Sequence, residues 1–282
     1  MLDKPASPAG PAGPAPAGGG PPEGYDEIEA SKAPLLDHLI ELRQRLMYAL
    51  AGVGIGFVIC FMFSRRIYTV LVWPYLWAQD NEKVKMIFTG PQEFLYTQLK
   101  LALFAAVFLA FPLIAYQIYM FVAPGLYKNE KQAFRPFLVA AFLLFVLGAL
   151  IVYFIVMPLM MKFFLNMQIR DGAVEVELQA RVSEYLSLIM TLILGFGIMF
   201  QLPVVLTLLA RAGMIVGQQL RDFRRYAIVG ITGVAAFLSP PDPFSMIAMA
   251  LPTILLYEAS ILAVDRVEKR RARNGATPAA PA

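Results

Sequence analysis

The chain has 282 residues, of which 59% are hydrophobic and only 16% charged, against about 45–50% and about 25% in soluble domains. That balance excludes an ordinary soluble globule, and apolar runs of about 18 residues or more mark a helical membrane protein. The formal charge of +4 does not argue for nucleic acid, because the basic residues lie scattered at the ends of apolar runs instead of forming one patch.

The first 24 positions hold seven prolines and six glycines. Such a stretch buries too little apolar surface to offset its ordering entropy, so residues 1–33 are predicted to be a disordered tail. It has no apolar segment and carries Asp3, Glu23, Asp26, Glu27 and Glu29, which argues against a signal peptide. Next comes APLLDHLIELRQRL. Leu35, Leu39, Leu42 and Leu46 recur at steps of 4, 3 and 4, one face of a helix, while Asp37, Glu41, Gln44 and Arg45 lie elsewhere on the wheel. An amphipathic helix that leads into the membrane sets Glu41 at headgroup level.

Four runs are long enough to span: Leu46–Phe63, Leu101–Val122, Phe137–Met161 and Tyr185–Ala210. Tyr226–Leu238 and Phe244–Val264 flank the turn SPPDP and read as a short hairpin. The first of these two reaches only about 20 Å, against about 30 Å of hydrocarbon. The predicted fold is therefore all-α: a polytopic membrane protein of six transmembrane helices, the last two short. Pro112, Pro158, Pro203 and Pro252 lie inside or at the ends of spans. They predict kinks and a curved, concave bundle, with ordinary membrane prolines as the alternative. The six-span core covers 34–268, and 269–282 forms a second disordered tail.

Orientation follows from the basic residues. With both termini in the cytoplasm, 16 Lys and Arg fall on the inner side and 8 on the outer, as the positive-inside rule requires. The loop FVAPGLYKNEKQAFRP is then cytoplasmic, and its Glu130 among Lys128, Lys131 and Arg135 faces the same side as Glu41. Two carboxylates on one rim make a candidate cation site. The alternative is local pairing, Glu41 with Arg45 and Glu130 with a lysine, which contributes about 0–1 kcal/mol. The pair Arg65-Arg66 follows the first span and reads as an interfacial anchor; Arg224-Arg225 reads as a topology signal. Cys60 is the one cysteine and His38 the one histidine, so neither an intrachain disulfide nor a metal site is expected. No nucleophile–base pair or phosphate-binding glycine loop suggests an enzyme or a cofactor. A secondary transporter of a small solute is the rival reading, since bent helices and midplane polar groups are its marks.

Four blocks decide between these readings: HLIELRQRL, TGPQEFLYTQLK, FVAPGLYKNE and LSPPDPFS. Together and in this order they resemble the signature blocks of the twin-arginine translocase C subunit family, TatC, over residues 34–268. The resemblance implies a receptor and core subunit that binds twin-arginine signal peptides. With single-span partners of the TatA and TatB type, in complexes of several copies, it would export folded proteins across the cytoplasmic (inner) membrane at the expense of the proton-motive force. It also implies that Glu41 and Glu130 hold the arginine pair, since a guanidinium offers a planar fork to carboxylate oxygens. Arg43 would shape the Glu41 site or contact the signal backbone, with binding to membrane lipid phosphate as the alternative. Phe121 and Leu126 would support the loop. Gln201 stands where the family often carries glutamate; a neutral amide can hydrogen-bond across helices at lower cost than a charge. Asp242 is either a helix N-cap or a partner contact, and Met246 stands where some relatives have glutamine. Glu258 has no role assigned by the sequence.

Overall fold

The structure, a computed structural model, describes residues 23–79, 86–126, 134–168, 178–239 and 242–273. Apolar chain in a bilayer must close its backbone hydrogen bonds internally, which favours helices. The regular structure among the described residues is helical, apart from one isolated bridge between Ile87 and Arg181. Ten α-helices follow in order: α1 Glu23–Met62, α2 Ser64–Ala78, α3 Glu93–Leu126, α4 Phe134–Ile151, α5 Met157–Asn166, α6 Val182–Met199, α7 Leu202–Ala212, α8 Gly217–Asp222, α9 Arg224–Leu238 and α10 Pro243–Arg273.

Five segments are long and apolar enough to cross a membrane: Leu39–Met62, Glu93–Phe121, Pro136–Asn166, Val182–Ala212 and Ser245–Arg270. The fifteen residues of α9 form the short sixth. The fold is thus the all-α, polytopic, six-span arrangement that the apolar runs predict; of the last two helices, both expected to be short, only α9 is, because α10 continues past its apolar stretch to Arg273, a length of 31 residues. Of the expected disordered tails, residues 23–33 and 269–273 are instead helical, as the ends of α1 and α10, and the parts at 1–22 and 274–282 lie outside the described residues. Residues 1–43 and 44–282 form separate compact units, and the packing that follows belongs to the second.

Two spans are interrupted, each beside a proline. Pro158 has no N–H to give the Phe154 carbonyl four residues back, and its ring crowds that turn. The helix widens there into a π-helical turn at Val152–Val156, and the Met157 N–H reaches the Val152 carbonyl, a common form of local bulge. Pro203 sits in the first turn of α7, the position where a missing N–H costs least; the chain breaks at Phe200–Gln201 just before it. The run Tyr185–Ala210, read from the sequence as one span, is two helices for this reason. α7 ends at Gly213, whose φ of 79° is the left-handed conformation that glycine adopts without penalty. Met214 N–H then bonds the Leu209 carbonyl at 3.0 Å, closing the helix end.

α6 is the centre of the second unit. Leu186, Ile189, Leu192 and Phe196 on it are fully buried. α4 lies against it through two glycines: a Cβ at Gly148 would stand 3.0 Å from the Phe196 carbonyl oxygen, and one at Gly197 would strike the Phe145 ring. Small residues permit this close approach where dispersion, not the exclusion of water, drives association. Phe111 of α3 stacks on Phe145 with ring centroids 3.7 Å apart.

The loop after the first span contains a helix, α2, whose Leu71, Tyr75 and Ala78 are buried. Two tyrosines fasten it. Tyr185 of α6 donates its hydroxyl to the Leu71 carbonyl at 3.0 Å, and Tyr153 donates to the Val70 carbonyl at 2.6 Å. These bonds satisfy polar groups that apolar surroundings would otherwise penalise.

Candidate functional site

The candidate residues fall into two groups by position. Glu41 and Arg43 lie on α1, Glu41 half-buried and Arg43 exposed. The apolar residues around them, Leu39, Ile40 and Leu42, are exposed as well. That leaves an apolar helix surface with a carboxylate set in it, the pattern expected of a segment that meets lipid or another chain. Phe121 is half-buried at the end of the second span, and Leu126 closes α3 with its side chain outside the described residues. Glu130 and its neighbouring lysines lie outside the described residues.

The second group is intramembrane or at the turn after α9, and here the geometry is explicit. Gln201 sits at the break between α6 and α7. Its Nε2 donates to the Ala141 carbonyl of α4 at 3.0 Å and to the Gly197 carbonyl at 3.3 Å. A neutral amide can make both bonds without the desolvation cost of an ion, so glutamine clips the broken span to its neighbour. Asp242 accepts the Ser245 N–H at 2.7 Å on one oxygen and the Ser245 hydroxyl at 2.6 Å on the other. That is N-cap geometry at the head of α10, where Pro243 supplies the first helical residue. Met246, one turn in, is half-buried and packs against the core.

Two sets of polar residues carry structure that the sequence reading did not assign. Glu93 heads α3 and accepts from the Thr89 N–H at 2.8 Å, the Thr89 hydroxyl at 2.9 Å and the Ser183 hydroxyl at 2.5 Å. It ties the chain before α3 to the start of α6, beside the Ile87–Arg181 bridge. The local half of this arrangement, a threonine four residues before a glutamate, was visible in the TGPQEF block; Ser183, ninety residues away, was not. The other set joins α8 and α9 to α10. Arg224 meets Glu258, Nε to Oε1 at 2.8 Å and a terminal nitrogen to Oε2 at 2.9 Å, a two-pronged pair. Arg221 pairs with Asp265. The Gly217 N–H donates to Glu268 at 2.7 Å, and the Tyr257 hydroxyl donates to the Leu220 carbonyl at 2.7 Å. Glu258 thus has a protein partner, and Arg224, expected to be a topology signal, is held by an ion pair. Among the described residues no cluster of His, Cys, Asp or Glu could hold a metal ion.

Interrupted apolar helices long enough to cross a membrane, with capped turns between them, define a polytopic α-helical membrane protein. Residues 37–252 match the family model described as Sec-independent protein translocase protein (TatC). The Sec-independent protein translocase protein TatC of Magnetococcus marinus is 42% identical over 245 residues, 87% of this chain and 89% of that one. Its counterpart from Aquifex aeolicus is 40% identical over 228 residues, 81% of this chain and 93% of that one. A solved structure described as the crystal structure of the twin arginine translocase receptor TatC superposes with a TM-score of 0.72 at 38% identity, covering 82% of this chain and 99% of that one. The chain belongs to the TatC family. It is therefore a subunit of a protein translocase, not an enzyme, and the family replaces the solute-transporter alternative.

Proposed function

We propose that this TatC-family chain is the signal receptor of its translocase, with Glu41 and Glu130 holding the arginine pair of a twin-arginine signal peptide. The observation that carries this reading is the family match over residues 37–252, which contains both the LIELR and the GLYKNE blocks. The chemistry supports it: a charge-assisted hydrogen bond contributes about 1.5–3 kcal/mol, roughly ten- to a hundredfold in affinity. Two such contacts select arginine over lysine, because only the guanidinium presents paired donors in a fixed plane. Arg43 shapes the Glu41 site, and Phe121 and Leu126 support the loop and the adjoining signal residues. Both termini lie in the cytoplasm, the membrane is the inner one, and the proton-motive force drives export.

Single-span partners of the TatA and TatB type, several copies per complex, dock along α9. Its outward residues Val229, Val234 and Phe237 are exposed, and its fifteen residues span about 22 Å, short of about 30 Å of hydrocarbon. Such mismatch is relieved by thinning the bilayer or by helices packing alongside. Gln201 gives the neighbouring wall a neutral polar spot, while Asp242 and Met246 form the head of α10 that partners meet.

A photocrosslinker in place of Asn129, which leaves Glu130 intact, tests the receptor reading, with signal peptides carrying either two arginines or two lysines. Crosslinks to the arginine peptide alone are expected, and Glu41→Ala and Glu130→Ala are each expected to weaken its binding ten- to a hundredfold. Glu→Asp is expected to be milder and Glu→Lys worse, through like-charge repulsion. Unchanged affinity of both alanine variants at low salt would show the assignment to be wrong.

A further inference from the structure

A cavity of about 780 Å³ lies between α1, α2, α3 and the π-helical turn, with Cys60, Val70, Trp73, Phe104, Leu109 and Phe154 on its wall. The volume falls within the range of about 300–1,000 Å³ typical of clefts that hold a small ligand. Its wall offers such a ligand almost nothing polar. The two hydroxyls on it are already committed, Thr69 to the Arg65 carbonyl at 3.1 Å and Tyr153 to the Val70 carbonyl at 2.6 Å. A polar solute would lose its hydration there without compensation; a hydrocarbon chain would not.

One turn before the wall residues Thr69 and Val70, the start of α2 has the opposite character. Arg65 and Arg66 open α2 and are both exposed. Arg66, Val70 and Trp73 follow at steps of 4 and 3, so they lie along one helical face. Arg66 rests over the Phe63 ring, 5.8 Å from its centroid, and among the described residues no carboxylate pairs with either arginine. Arg221 and Arg224, by contrast, both have carboxylate partners. Two cations one helical turn from the wall of an almost wholly apolar cleft call for a ligand that is anionic at one end and hydrocarbon along its length.

We infer that this cleft is a binding site for an anionic phospholipid: one acyl chain lies along Val70, Trp73 and Phe154, and the phosphate is held by Arg65 and Arg66. Basic groups beside intramembrane clefts select lipid headgroups in this way, and guanidinium forks suit phosphate oxygens. An amphipathic partner helix would instead have to bring a carboxylate to the same two arginines.

The chain has two tryptophans, and Trp73 lies on the cavity wall with Trp77 packed 4.9 Å away. The Trp77→Phe variant therefore makes Trp73 a reporter of what fills the cleft. The test compares the full chain in nanodiscs of phosphatidylcholine doped with phosphatidylglycerol or with phosphatidylcholine, each brominated on its acyl chains. At equal mole fraction the brominated phosphatidylglycerol is expected to quench Trp73 several-fold more steeply. Arg65→Gln with Arg66→Gln is expected to remove that difference, and Val70→Phe to reduce quenching by both lipids by filling the mouth. Arg225→Gln, a control on α9, is expected to leave the difference in place. Circular dichroism on each variant separates lost selectivity from lost fold. Equal quenching by the two lipids would mean bulk contact only and would overturn the inference. So would a preference that survives both arginine substitutions, or displacement of the brominated lipid from Trp73 by an acidic single-span peptide at lower mole fraction than phosphatidylglycerol.

Discussion

Two arginine pairs, Arg65-Arg66 on α2 and Arg224-Arg225 on α9, look alike in the sequence and sit in different electrostatic surroundings. Arg224 is gripped by Glu258, and one turn earlier Arg221 is gripped by Asp265, both from α10. The same face of α10 supplies Glu268 to the Gly217 N–H and Tyr257 to the Leu220 carbonyl. Four contacts thus fix the corner made by α8, α9 and α10. At α2 the work is done by neutral groups, the Tyr153 and Tyr185 hydroxyls on backbone carbonyls, and the arginines face outward. The difference teaches that a basic pair at a span end has two uses. It can hold the protein together, or it can remain available for something the protein binds.

The largest effect that bears on this contrast is on transport. Adding one helical turn to α9 and one to α10, on either side of the turn that joins them, would move the hairpin tip outward by about 5 Å and leave the α8–α10 corner in place. Export of folded cargo is expected to stop while signal binding continues. A lengthened hairpin that still exports normally would remove α9 shortness from the docking proposal.

On stability, Tyr257→Phe is expected to cost about 1–3 kcal/mol, because it leaves the Leu220 carbonyl without its buried donor. A thermal unfolding midpoint in detergent reads this directly, and an unchanged midpoint would mean that water replaces the hydroxyl. A double-mutant cycle of Arg224→Gln and Glu258→Gln is expected to give a smaller coupling of about 0.2–1 kcal/mol. Both side chains are more than a third exposed, so the coupling should shrink as salt is raised; a salt-independent value would point to a drier pair than the geometry describes. The smallest effect belongs to α2. Arg65→Gln with Arg66→Gln is expected to change stability by no more than about 0.5 kcal/mol. A larger loss would mean that these arginines also serve as structural anchors.

Much of the spans was legible because hydrocarbon tolerates few alternatives to an apolar helix. Phe137–Met161 and Tyr185–Ala210 fall inside segments able to cross a membrane, and the runs Leu46–Phe63, Leu101–Val122 and Phe244–Val264 each overrun theirs by one residue; Tyr226–Leu238 lies within α9. Pro158 and Pro203 announced disruption, but a proline does not say whether a helix will bulge or break. That outcome depended on the neighbours: Gln201 could bridge the gap after α6 to Ala141 on α4, whereas the turn before Pro158 could widen. Of the candidate site, Asp242 was legible as a cap because its partner Ser245 is three residues away, and local hydrogen bonds are written locally.

By itself the sequence determined the membrane class, the order of the spans and, through four short blocks, the family. Each of these depends on properties carried by consecutive residues: apolar length, charge at span ends and turn chemistry. Tertiary structure alone decided which carboxylate meets which arginine. Glu258 and Arg224 are 34 residues apart, and Asp265 and Arg221 are 44 apart, so no periodicity along the chain could pair them. It likewise decided that Glu93 ties α3 to Ser183 and that Val70 and Trp73, on the helix that Arg65 and Arg66 open, line an apolar cleft. Such pairings are settled by which helices pack together, and that is fixed by close approach at glycines such as Gly148 and Gly197, where dispersion falls off within a fraction of an ångström.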